Sequence, residues 1–176
     1  MGEISYDVAN EADTANLVSL LAILFGIEKD FNADFTKQQK GLKLLLKNST
    51  TATIQVARSP AGKVIGMVTA QLVISTAQGT ASAWIEDMVI DATYRKHGIG
   101  KQLLQNTLAW AKTKGATRAQ LLVDTANIEA LGYYQHLHWE STQLQARRMF
   151  LLVQIKPRMA TFGRKCRLSS GCSRKM

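Results

Sequence analysis

The sequence predicts an α/β fold, a mixed sheet flanked by helices, and three observations carry that reading. An apolar stretch at residues 83–90 runs through a polar turn into Gly98-Ile99-Gly100, which opens an amphipathic helix. Upstream, residues 51–58 and 64–75 are rich in Val, Ile and Thr and are joined by Ser59-Pro60-Ala61-Gly62, a turn sequence, so the pair reads as an antiparallel hairpin. Between and around these, leucines recur every three to four residues, the spacing of helices with one buried face. Together they give the order β-α-α-β-β-β-α-β-α-β-β.

The first strand is expected at residues 6–8. Asn10 or Asp13 caps a helix carrying Leu17, Leu20, Leu21 and Leu24, interrupted at Gly26. A polar loop with two aromatics follows at residues 28–35. Thr36 then caps a second helix with Leu42, Leu45 and Leu46 inward, ending near Asn48. After the hairpin, Gln78-Gly79-Thr80 turns the chain into the central strand at 83–90. The helix beyond the glycine loop carries Leu103, Leu104, Leu108 and Trp110 and stops at Lys114-Gly115. A short buried strand at 120–124, a helix at 127–137 and a final pair of strands at 144–147 and 149–155 complete the body.

A chain of 176 residues suits one domain with a substantial core. Its 46% hydrophobic and 20% charged content is that of a soluble globular protein. No apolar run approaches the roughly 18–20 residues of a membrane span, and the first residues lack the basic and apolar regions of a secretory signal, so a cytoplasmic location without membrane contact is expected. The net charge of +9 is unevenly placed: residues 156–176 hold seven basic residues and no acid, leaving +2 for residues 1–155. The expected organisation is one domain over 1–155 and a basic, disordered tail over 156–176. Both cysteines, Cys166 and Cys172, lie in that tail and read as free thiols.

The strand, glycine loop and helix at 83–104 form a phosphate cradle. Gly98 and Gly100 lack Cβ atoms, which permits positive φ and close approach of an anion to the backbone. The first N–H groups of the helix have no helical partner, and the helix dipole favours negative charge there. Arg95, Lys96 and Lys101 add positive charge.

The string Arg95-Lys96-His97-Gly98-Ile99-Gly100 fits the pattern R/Q-x-x-G-x-G/A, and it resembles the acetyl-coenzyme A signature of the GCN5-related N-acetyltransferase (GNAT) superfamily. A second stretch, residues 124–139, resembles that family's N-x-x-A-x-x-F-Y-x-x-x-G-F. Asn127, Ala130 and Tyr134 stand at matching positions. Every expected element over roughly 4–155 finds a place in the GNAT fold, whose central sheet is mixed but mostly antiparallel. Three positions depart from the common pattern: Lys96 stands where many members have Gly, Ala92 where they have Pro, and His138-Trp139 where they have Gly-Phe.

The resemblance implies acetyl-CoA as cosubstrate. It assigns pyrophosphate binding to the backbone of His97, Gly98, Ile99, Gly100 and Lys101, with Arg95 and Lys96 beside them. The pantetheine arm would run along a bulged strand at Met88, Val89 and Ile90, with Asn127 on its far side. The implied activity moves the acetyl group of acetyl-CoA directly to a primary amine, on a small cationic molecule or a protein.

An alkylamine with a pKa near ~10.4 must lose a proton first, at a cost on the order of 4–5 kcal/mol at pH 7, so a general base is useful. Glu86 and Asp87 sit in the apolar central strand. Alternation sends them to opposite faces unless a bulge intervenes. Polyamine acetyltransferases of the superfamily have a similar pair and use the glutamate, which implies Glu86 as base and Asp87 as substrate contact. Tyr134 matches the tyrosine that protonates the leaving sulfur. Glu28, Asp30 and Phe31 lie in the loop that lines the acceptor site in the family, and acids beside aromatics suit a cationic amine. His97, His136 and His138 make no metal set, so no metal is expected. A homodimer is compatible with this reading. The alternative function is a non-catalytic acyl-CoA sensor with a nucleic-acid-binding tail. Glu86 and Tyr134 favour the enzyme, and a tail without helical periodicity makes nucleic acid the weaker partner.

Overall fold

A computed structural model describes residues 2–28 and 30–151. Its strands β1 (Ser5–Val8), β2 (Ala52–Arg58), β3 (Val64–Ser75), β4 (Thr80–Ile90) and β5 (Arg118–Leu121) form a sheet in sequence order. The first three pairings are antiparallel, and β4 with β5 is parallel. The parallel step needs a crossover, supplied by helix α3 (Ile99–Thr113). Helices α1 (Thr14–Ile27) and α2 (Phe35–Lys47) lie between β1 and β2 in the chain, and α4 (Ile128–His136) follows β5. The mixed, mostly antiparallel sheet with flanking helices agrees with the expected fold class.

Strand alternation sorts the core into two clusters on the two faces of the sheet. Leu17, Leu20 and Leu21 of α1 and Leu42 of α2 pack on Ile54, Val56 and Met67. Leu103 and Leu104 of α3 pack on Ile65, Val68 and Ile85 from the other side. Leu17, Leu103 and Val68 are wholly buried, and each such side chain stabilises the fold by about 1.5–3 kcal/mol.

Polar clamps fix where α1 begins. Asn10 and Asp13 cap the short 3₁₀ turn Glu11–Asp13 reciprocally: the Asn10 side chain accepts from Ala12 N, and the Asp13 carboxylate accepts from Asn10 N. Asp13, 5% exposed, also takes a forked ion pair from Arg58 of β2 at 2.7 and 2.9 Å. That pair holds the carboxyl below the usual carboxylate range.

Several expectations are corrected. Gly26 does not interrupt α1, which runs to Ile27 and ends where Glu28 turns extended. The second helix is capped by Asp34, not Thr36. Asp34 has the extended backbone a cap requires, its side chain accepts from Lys37 N, and Thr36 is already helical. The fifth strand is Arg118–Leu121 rather than 120–124, because its pairing with β4 ends at Ile85–Leu121 and leaves Leu122 62% exposed.

The expected strand at 144–147 and the start of the one at 149–155 are absent: residues 144–151 form no ladder. Leu144, Met149, Phe150 and Leu151 are all exposed. Their apolar character raised the expectation, but a strand exists only with a partner to satisfy its backbone. Contacts divide the chain into units at Met1–Thr142 and Gln143–Met176. Residues 152–155 and the basic tail at 156–176 lie outside the described residues.

Candidate active site

The site is organised by one irregularity in β4. Met67 pairs with Val89 and Thr69 with Glu86, so the single residue Val68 opposes the two residues Asp87 and Met88. This is a β-bulge, and Asp87 within it takes a left-handed backbone, φ 52. Aspartate tolerates that conformation better than most residues. Met88 through Ile90 also lie beyond the last pairing with β5, so that edge of β4 has no strand partner among the described residues.

Beyond the end of the β4–β5 ladder a crevice of about 90 Å³ opens. Its walls include Glu86, Asp87 and Met88 on one side and Asp124, Asn127 and Tyr134 on the other, with Glu28 at the end of α1. Glu86 is exposed and Asp87 half-buried, so the bulge brings both acids to one crevice at different depths. Burial lifts the Asp87 carboxyl to about 6, against a hydrogen bond from Thr69 Oγ1 at 3.1 Å that favours its charged form; Glu86 adds a smaller upward push. Glu28 is raised as well, first by burial and then by Asp87, Asp124, Asp30 and Glu86. Tyr134 donates to Met88 Sδ at 3.5 Å and is pushed up to about 12 by burial, with smaller contributions from Tyr133 and Glu28. Its ring meets Tyr133 and Trp139 edge-on, which fixes its direction. Asn127 spends its Oδ1 capping α4 at Ala130 N, and the residue still lines the crevice.

The glycine loop lies at the N-terminus of α3. Gly98 is its cap residue at φ 77 and gives no side-chain cap. The first helical bond from the loop is Gln102 N to Gly98 O, so the N–H groups of Ile99, Gly100 and Lys101 have no backbone acceptor among the described residues. Those donors, with the positive end of the dipole, suit an anion. A Cβ on Gly100 would lie 3.0 Å from Met88 Cε and 3.2 Å from the Tyr133 hydroxyl, so any side chain here presses on both residues. Arg95 donates from Nε to Ile90 O at 3.1 Å, tying the loop back to β4, and His97 Nδ1 lies 3.3 Å from Tyr94 O. A nucleotide-bearing thioester fits these features: N–H donors for diphosphate, then an unpaired strand edge for an amide-rich arm.

A second cavity, about 620 Å³, lies between α1, α2 and the sheet. Leu21, Phe25, Phe31, Gln38, Leu42 and Asp87 are among its walls. Asp87 therefore lines both hollows. Phe31 rests on Phe25 with ring centroids 5.4 Å apart. Of the residues expected at an acceptor, Phe31 and Asp87 are here, Glu28 is in the crevice, and Asp30 lines neither. Among the described residues no group of three or more His, Cys, Asp or Glu is placed to hold a metal, and no helix is long and apolar enough to cross a membrane.

The profile of the Acetyltransferase (GNAT) family matches residues 23–139, two thirds of the chain. The chain belongs to the GNAT acetyltransferases. A relative from Trypanosoma brucei brucei, a glucosamine 6-phosphate N-acetyltransferase, is 31% identical over 91 residues, covering 50% of this chain and 58% of that one. The chain thus matches little more than half the length of that relative. Solved structures share the fold. A possible acetyltransferase from Clostridium difficile 630 superposes with a TM-score of 0.75 at 19% identity, covering 86% of this chain and 100% of that one. Glucosamine-6-phosphate N-acetyltransferase from Arabidopsis thaliana gives 0.69 at 15% identity over 85% and 99%. An aminoglycoside acetyltransferase from an uncultured soil sample gives 0.68 at 22% over 85% and 97%.

GNAT membership gives physical sense to two departures. Lys96 and His138, standing where many members have Gly, both hold left-handed backbones, φ 66 and φ 62. Lys96 and His138 thus carry side chains in a conformation that disfavours them. Gln38 escaped the sequence reading, leaving only a faint signal, a polar residue in phase with Leu42 and Leu45 on the inner stripe of α2. Asp124 and Tyr133 lie within the matched stretch 124–139 but gave no sign of lining the crevice or meeting Gly100.

Proposed function

We propose that this chain transfers the acetyl group of acetyl-CoA to the amine of a small cationic acceptor, with Asp87 as general base and Tyr134 as general acid. Acetyl-CoA supplies the activated acetyl thioester, its diphosphate on the N–H groups from His97 to Lys101 and its pantetheine arm along Met88, Val89 and Ile90, near Asn127. The acceptor occupies the larger cavity against Phe31. The single observation that carries this reading is the position of Asp87 in the wall shared by both hollows.

Asp87 is chosen over Glu86 because Glu86 is exposed and lines the crevice alone. A carboxyl lifted to about 6 is ionised at neutral pH yet more basic than a free one, which suits a proton acceptor. Asp87 first takes one proton from the bound ammonium, and the freed lone pair then forms its bond to the acetyl carbon as the carbon–sulfur bond breaks. The departing thiolate takes the Tyr134 hydroxyl proton, the second nitrogen proton restores the Tyr134 hydroxyl, and Asp87 gives its proton to solvent. A tyrosine pushed up to about 12 keeps that proton throughout the neutral range. Glu28, Glu86 and Asp124 surround the junction with negative charge that attracts an ammonium. The named relatives, which act on glucosamine 6-phosphate and on aminoglycosides, support a small-molecule amine over a protein one.

The test is thiol release from acetyl-CoA against a panel of amines. Turnover should rise with pH through an apparent pKa near 6, and Asp87→Asn should remove both rate and inflection. Tight coenzyme A binding with no turnover on any amine would favour the sensor instead.

A further inference from the structure

The larger cavity contains a polar group for which acetyl transfer has no use. Gln38, one turn into α2, is 8% exposed, and its side-chain Nε2 is buried without a hydrogen-bond partner. Its backbone is ordinary: Gln38 N bonds to Asp34 O at 3.0 Å. Buried polar side chains are almost always bonded, because one left unpaired destabilises the fold. Nε2 lies out of reach of the cavity that Gln38 lines, and turning the carboxamide toward that cavity would let a ligand bring the missing partner. The amide head has similar shape either way round, so it can present its donors or its acceptor. A hydroxyl, which both donates and accepts, satisfies it in either orientation.

Charge narrows the ligand further. Two carboxylates line this cavity, Asp34 and Asp87. Asp34 is occupied, by Lys37 Nζ at 3.1 Å and Lys37 N at 3.1 Å. Asp87 receives Thr69 Oγ1 and has no recorded basic partner among the described residues. The other polar walls include Asn32, Asn48, Thr51 and Gln71, all neutral. One unpaired carboxylate matches one ammonium. Glu28, Glu86 and Asp124 line the crevice and not this cavity, so a second ammonium placed among Asn32, Asn48, Thr51 and Gln71 would be desolvated among amides and apolar side chains. Oxygen substituents near an amine also withdraw electron density and weaken its hold on the proton, which eases transfer to Asp87.

We infer that Gln38 is a specificity-determining residue whose amide binds a hydroxyl of the acceptor, so that this cavity takes a hydroxylated monoamine in preference to a polyamine or a plain alkylamine. The inference rests on reading the larger cavity as the acceptor site.

The experiment compares full-length wild type and Gln38→Leu on glucosamine, cyclohexylamine and spermidine, by thiol release and by calorimetry of amine binding without acetyl-CoA. Wild type should favour glucosamine. In Gln38→Leu the ratio of kcat/KM for glucosamine over cyclohexylamine should fall about tenfold, the worth of one neutral hydrogen bond, and the change should lie in KM. An unchanged ratio, or spermidine outpacing glucosamine in wild type, overturns the inference. Should wild type turn over none of the three, calorimetry decides. Tenfold weaker glucosamine binding in Gln38→Leu upholds Gln38 and removes acetyl transfer, and absence of glucosamine binding in wild type overturns it. Gln38→Met, close to glutamine in length, replaces Gln38→Leu if the latter does not fold.

Discussion

The glycine-loop cradle with its strand β4 and the larger cavity, which we propose as coenzyme and acceptor sites, share Asp87 but are built differently. The cradle is local: β4, the loop and the first turn of α3 are continuous in the chain, and its ligand groups are backbone N–H donors. The cavity is assembled from α1, α2 and the sheet, with walls from Leu21 to Asp87, and its groups are side chains. A backbone site depends on conformation and tolerates most side-chain changes except at its glycines. A side-chain site is free to vary with the acceptor. The family's shared cosubstrate and its variety of named acceptors follow from that division.

The largest effect is expected where the two sites touch. Asp87→Asn should lower kcat at pH 7 by about 10²–10⁴-fold, the usual loss for a positioned acid or base, and leave coenzyme A binding within about twofold. The variant has a second signature. Burial raises the folded carboxyl above its unfolded value, so the folded state holds its proton to higher pH. Ionisation therefore costs stability progressively as pH rises from near 4 to about 6, and the cost is full above that. Asp87→Asn should melt higher than wild type at pH 7, with the difference closing below pH 4. A variant of equal Tm across that range would separate Asp87 from the buried wall.

Gly100→Glu breaks the cradle alone. Its side chain must displace Met88 and Tyr133, and a misplacement of about 1 Å can cost on the order of 10²-fold in affinity or rate. Coenzyme A should then no longer raise Tm, while calorimetric binding of an acceptor amine persists. Loss of both would show that the sites are coupled through Met88. Phe31→Ala acts on the cavity alone, and should raise the acceptor KM about threefold to tenfold with kcat nearly unchanged. The smallest effect tests backbone without either site. Lys96→Gly and His138→Gly should each raise stability by roughly 0.5 kcal/mol, relief of left-handed strain partly offset by glycine's freedom in the unfolded chain.

What was legible in the sequence follows the same division. The cradle was readable because Gly98, Gly100 and the helix start stand together, and a backbone rule links them to a phosphate. The bulge was admitted but not positioned, since register is a relation between strands and Asp87 does not announce its φ. Glu86 and Asp87 look equivalent in the chain. Only the pairing of Thr69 with Glu86, and the depth that follows, distinguishes them. The cavity was least readable, because Gln38 is one polar residue in an apolar stripe until Thr51, Gln71 and Asp87 close around it. The final strands misled because Leu144 and Met149 to Leu151 have strand-like composition, and composition contains no information about a partner.

The left-handed backbone at Asp87 limits how this protein can change over generations. At φ 52 only glycine, asparagine and aspartate sit without appreciable strain, and of these only aspartate ionises. A glutamate there would have to straighten the bulge or bear the strain, so the carboxylate cannot readily be lengthened toward a smaller acceptor. Adaptation to a new amine must come instead from α1 and α2, where residues such as Phe31 and Gln38 can be replaced without disturbing the strand. The position we propose as the base is thereby frozen by geometry, and variation in the cavity wall is left to the helices.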